Sequence, residues 1–169
     1  LPAAYAPRTI DVRGDTRYSA ESASLIAGEG SVQAGLRYRI ASRLPSGADV
    51  PRSFDARVDP ALLEVPTEMR PQLESLARDI VARAGATGDA AATARALQDW
   101  FRNNFSYDAT ADYSATPDPT ASFLRNRIGF CQQFASTFAL MARALGIPAR
   151  VAVGFTYGTP VRQGDDGNV

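Results

Sequence analysis

The stretch from Cys131 to Tyr157 constrains the fold more than any other part of the chain. Phe134, Phe138, Met141 and Leu145 recur at i, i+4, i+7 and i+11, which lines one apolar stripe along a helix that opens near Phe130 or Cys131. Gly146 supplies a left-handed stop, and Pro148 keeps the helix from continuing. From Arg150 to Tyr157 the period changes to two, with Val151, Val153, Phe155 and Tyr157 on one face. A strand packed on the preceding helix is expected there.

The same two periods divide the rest of the chain. Residues 8 to 42 favour strands, most clearly where Leu36, Tyr38 and Ile40 share a face, and Ser22–Ala27 before Gly28-Glu29-Gly30 reads as another strand and its turn. Proline, glycine, serine and aspartate then rise and periodicity fades, so residues 1–45 are read as a small β-rich segment and 46–66 as a linker. Leu73, Leu76, Ala77, Ile80, Val81 and Ala84 form one helical stripe ended by Gly85. Asp89 opens a second helix carrying Ala94, Leu97, Trp100, Phe101 and Phe105 inward, and Asn103 and Asn104 mark its exit. A polar loop with Tyr107 and Tyr113 follows, and Asp118-Pro119 caps a short helix through about Arg125. Residues 67–169 are expected to form the N-terminal part of a second domain.

Composition removes several classes of function. The 18 basic residues, all arginine, balance 18 acidic ones and are scattered, so no field gathers nucleic acid or an anionic membrane surface. One cysteine makes no internal disulfide, and with no histidine the usual Cys/His zinc sets are excluded, so no metal site is expected. No apolar run approaches the roughly 20 residues that span a bilayer. Leu1–Pro7 lacks a basic segment followed by an apolar run, so no signal peptide is expected there, and the chain is expected to be part of a longer protein.

The lone cysteine stands in Arg127-Ile128-Gly129-Phe130-Cys131-Gln132-Gln133, at or beside a helix start. A thiol attacks as thiolate, and unpaired N–H groups and the helix dipole at such a start favour negative charge. Gly129 would let the backbone turn tightly and approach a substrate, and the N–H groups around Phe130, Cys131 and Gln132 could donate to an oxyanion. Cys131 also extends the apolar stripe of its own helix, however, and free cysteine is among the most often buried residues. Spacing alone favours an inert core cysteine.

The ordered run from Phe123 to Val151, with its glycine-aromatic-cysteine start, helix, Gly146-Ile147-Pro148-Ala149-Arg150 and apolar strand, resembles the nucleophile helix and following strand of the bacterial transglutaminase-like superfamily. The likeness extends upstream through Trp100-Phe101-Arg102-Asn103-Asn104-Phe105-Ser106-Tyr107 and covers roughly residues 67 to 157. It implies an α+β, papain-type core with helices packed on an antiparallel sheet. It also implies that Cys131 is a nucleophile acting on a glutamine or peptide amide of a protein or peptide through a thioester, without cofactor. Within the superfamily the layout is similar to the extracytoplasmic domain of membrane-anchored TgpA-like proteins, which implies that side of a bacterial membrane.

In that family a histidine and then an aspartate follow the cysteine. Neither has a matching position here, so the fragment alone is expected to be inactive, and a non-catalytic interaction or structural module that keeps the fold is the rival reading. Asp165 and Asp166, with no histidine to orient, take no role. Tyr107 and Gln132 could line a cleft beside Cys131, although surface packing is the commoner fate of such residues. Arg127 could meet a substrate carboxylate or cap a carbonyl, Trp100 reads as core, and Arg150 as part of a structural ion pair.

Overall fold

The structure is a computed structural model and describes residues 7–19, 24–28, 36–43 and 58–154. The chain divides into two compact units, one of Leu1–Gly47 with Val153–Val169 and one of Ala48–Ala152.

Among its described residues, the first unit holds two antiparallel strand pairs. Strand β1 (Pro7–Val12) pairs with β4 (Tyr38–Ser42), setting Ile10 opposite Ile40 and Val12 opposite Tyr38, with an irregularity between Pro7 and Thr9. Strand β2 (Thr16–Ser19) pairs with β3 (Ser24–Ala27). The alternation of Leu36, Tyr38 and Ile40 is present as expected, all three half-buried while Arg37 and Arg39 between them are exposed. A period of two becomes a strand only where a ladder forms, so β4 starts at Tyr38 and not at Leu36. Glu29 and Gly30 of the expected turn lie outside the described residues.

The second unit is helical. α1 (Arg70–Arg83), α2 (Ala90–Asn104), α3 (Pro119–Asn126) and α4 (Cys131–Ala144) follow in order, and α4 packs against the other three. Their limits come from local chemistry. Asp89 accepts hydrogen bonds from the N–H groups of Ala91 and Ala92, and Asp118 accepts from Ala121, so both expected N-caps are in place. At the end of α4, Gly146 takes φ +79° while its N–H reaches Arg143 O and that of Ile147 reaches Ala142 O. This pair of bonds closes orphan carbonyls and needs a left-handed residue. Leu73, Ala77, Ile80, Val81, Leu97, Phe101, Phe123 and Met141 form the core, to which Trp100, Phe105 and Phe134 add a ring cluster with centroids 4.9–6.0 Å apart.

Two stretches differ from the sequence reading. Residues 58–66, the end of the segment composition marks as a linker, are tied to the helical unit. Ala149 N–H donates to Leu62 O, Arg143 to Glu64 O and Arg70 to Leu63 O, around a short 3-10 turn at Pro60–Leu63. Proline-rich composition excludes long regular elements but leaves the carbonyls free to be bonded. Val151–Gly154, expected as the start of a strand, carries no ladder, and Val153 is 98% exposed. A strand needs hydrogen-bonding partners alongside it, and among the described residues none pairs with these; Phe155 and Tyr157 lie outside the described residues.

Candidate active site

Cys131 is the first residue of α4 and is exposed, which removes it from the core that its spacing suggested. The residue before it, Phe130, takes the N-cap position with an extended backbone, φ −118° and ψ −174°. A phenylalanine has no acceptor to offer the first turn, so no side chain there satisfies the N–H groups that a helix start leaves unpaired. Gln133 supplies a different bond: its Oε1 accepts from Phe130 N–H at 3.1 Å, which fixes the angle at which the chain joins the helix. The thiol thus stands in solvent on the first residue of a helix that no side chain among the described residues caps.

The approach to this turn is held by its carbonyls. α3 ends at Arg127, whose φ of +56° makes it the one non-glycine residue in the left-handed region among those described. That conformation costs about 1 kcal/mol or more for a residue with a Cβ. It turns the chain into β6 (Ile128–Gly129), which pairs in parallel with β5 (Ser106–Tyr107) at the exit of α2. Ser106 N–H donates to Arg127 O and Asp108 N–H to Gly129 O, both at 2.8 Å. The Tyr113 hydroxyl donates to Ile128 O at 2.7 Å. Each of the three carbonyls before Phe130 therefore has a donor.

Gly129 is buried and serves a different end from the expected tight turn. Its φ lies outside the left-handed region, and a Cβ there would stand 2.7 Å from Phe123 Cε2 and 2.8 Å from Cδ2. The missing side chain is what lets the fully buried Phe123 ring lie against the backbone leading to Cys131. The sharp turn is made by Arg127 instead.

β5 sets Tyr107 opposite Gly129, with the Tyr107 ring 66% exposed and stacked on Phe134 at 6.3 Å. Tyr107, Gly129, Phe130, Cys131 and the exposed Gln132 are thereby gathered at one end of α4. Arg127 lies exposed at that end too, while Trp100 sits in the ring cluster and Arg150 follows the opposite end of α4. Asp165 and Asp166 lie outside the described residues. Sequence reasoning missed Tyr113 and Gln133. Gln133, three residues after the cap position, carried a readable signal in the capping-box spacing. Tyr113 carried none, because its neighbours are polar and its partner lies 15 residues away.

Two aspartates in the loop after β5 are fully exposed yet held below the ordinary carboxylate range. Asp108 is lowered chiefly by the Thr110 hydroxyl and then by its N–H, and Asp112 by the backbone N–H and then the hydroxyl of Ser114. Each closes a local turn. Among the described residues no group of three or more cysteine or acidic side chains could hold a metal, and no helix is long and apolar enough to cross a membrane.

The core profile of the transglutaminase-like superfamily matches residues 74–167, more than half of the chain. The chain belongs to the transglutaminase-like superfamily. The match contains α2, α3, β6 and the whole of α4, so the exposed Cys131 at a helix start lies within it, in a fold of mixed α+β class. The chain is also similar to a crystal structure of a proposed cysteine protease from Cytophaga hutchinsonii. The identity is 26% and the TM-score 0.43, over 56% of this chain and 31% of that one. This chain thus spans about a third of that protein's length. No curated protein matches.

Proposed function

We propose that Cys131 is the nucleophile of a transglutaminase-like cysteine enzyme domain acting on a glutamine carboxamide or peptide amide. The observation that carries this reading is the exposed thiol on the first residue of α4, above N–H groups that no side chain caps. The thiolate Sγ attacks the amide carbonyl carbon, and the carbonyl electrons move to oxygen, where first-turn N–H groups donate to the oxyanion. Collapse breaks the C–N bond, ammonia or an amine departs with a proton, and water or a second amine resolves the thioester. Proton transfer in these steps needs a base. The chain contains no histidine, so the imidazole of a cysteine–histidine pair is not among its residues.

The same absence favours a second reading, a non-catalytic interaction or structural module that keeps the fold. The similarity to TgpA-like proteins supports a membrane-anchored parent with this domain on the extracytoplasmic face, and protease access to the domain in intact cells tests that placement.

Iodoacetamide alkylation of Cys131 separates the enzyme reading from the module. If Cys131 is the nucleophile, it is expected to be alkylated severalfold faster than the cysteine of an unstructured peptide near neutral pH. A rate and pH profile equal to those of the peptide would sink the nucleophile assignment.

A further inference from the structure

We infer that Tyr113 is a positioning residue for Cys131, an inference that rests on reading Cys131 as the nucleophile. In an extended strand successive carbonyls point to opposite sides. β5 lies on one side of β6 and takes Arg127 O and Gly129 O through the N–H groups of Ser106 and Asp108. Ile128 O points the other way, where β5 cannot reach it. Tyr113, 8% exposed although flanked by Asp112 and Ser114, has its ring in the core and donates its hydroxyl to that carbonyl at 2.7 Å. A buried tyrosine with one polar tip suits this task, since its ring is fixed by packing and only the hydroxyl is left to act.

The peptide plane it holds lies between Ile128 and Gly129. Gly129 brings no Cβ to restrict its own dihedrals, so a bond to the Ile128 carbonyl helps fix this plane. Two residues further on, the same backbone sets the direction of the Cys131 N–H and thiol. Without that bond the Ile128 carbonyl is free to turn, and the backbone that leads to Cys131 is held less firmly. Misplacements of this order, near 1 Å, cost up to about a hundredfold in reactivity. Tyr113 therefore acts through the backbone and touches no substrate.

The test compares Tyr113→Phe with the unaltered chain of 169 residues, following iodoacetamide alkylation of Cys131 near pH 6.5 and near pH 9. Tyr113→Phe is expected to lower the rate at the lower pH severalfold, toward that of a free cysteine peptide, and to leave the higher one within about twofold. Thr116→Ala is the control: its hydroxyl donates to Tyr113 O at 2.8 Å, so removing it loosens the same turn without touching Ile128. The control is expected to keep the unaltered profile. Equal rates for Tyr113→Phe and the unaltered chain at both pH values overturn the positioning role and leave the nucleophile assignment standing. An equal change at both pH values, or the same change in Thr116→Ala, also overturns it, because general loosening then suffices. An unaltered chain that alkylates like a free peptide overturns both proposals together. Should Tyr113→Phe not fold, a multiply fluorinated tyrosine at 113, ionised at the assay pH and unable to donate, must give the same loss at the lower pH.

Discussion

The two ends of α4 are fixed by opposite means. At the C-terminal end every device closes the helix: Gly146 and Ile147 return N–H groups to Arg143 and Ala142, while Arg143 donates to Ala149 O and Glu64 O. At the N-terminal end the flanking chain is fixed just as firmly, through the carbonyls of Arg127, Ile128 and Gly129, yet the helix itself goes uncapped. One end spends its hydrogen bonds on itself. The other spends them on the approach, and among the described residues no side chain caps the first turn, where Cys131 lies exposed. A site for negative charge, as proposed for Cys131, needs both rigidity and unspent donors.

The comparison can be broken most severely from below. Phe123→Ala removes a fully buried ring that packs under Gly129 and among Phe101, Phe105 and Phe134. It is expected to destabilise the helical unit by about 3–5 kcal/mol in a denaturant titration. If Cys131 alkylation in the folded fraction survives unchanged, the rigidity of the N-terminal end does not depend on that packing. Gly146→Ala tests the closed end by placing a Cβ at φ +79°. A loss of about 1–2 kcal/mol is expected, with Cys131 alkylation unaffected.

Phe130→Ser converts the open end into a closed one. A serine hydroxyl at the cap accepts from the first-turn N–H groups and adds about 0.5–1 kcal/mol of helix stability. The same bond competes with the thiolate, so slower alkylation should accompany the higher melting temperature. Higher stability with unchanged alkylation would show that those donors do not serve the thiol.

The smallest effect concerns the loop that bears Tyr113. Asp108 and Asp112 have lowered folded values, so their contribution is fully present above the ordinary carboxylate value and is lost as pH falls through the lowered one. Hydrogen exchange at Thr110 and Ser114 N–H, corrected for intrinsic rates, should gain speed below about pH 4 while α1 and α2 keep their protection. Equal loosening of those helices would mean that the loop and the core do not respond separately.

Much of this was legible in the sequence because it is local. Asp89, Asp118, Gly85 and Gly146 set helix limits through bonds spanning a few residues, and the stripes on α1 and α4 follow from period alone. The family likeness of the run around Cys131 pointed to the α+β class. Spacing pointed the other way on burial, making Cys131 part of an apolar stripe. The first residue of a helix can share the stripe's phase and still lie beyond the surface that the stripe packs against.

What only the tertiary structure decided were the pairings at long range. Gly129 is small because a ring from α3 fills its place, Tyr113 is buried because a carbonyl 15 residues away needs a donor, and residues 58–66 are held by Arg143 and Ala149. Periodicity reports which face of an element is apolar. It carries no information on which distant backbone atom will lack a partner, and at the start of α4 that decides how the cysteine is held.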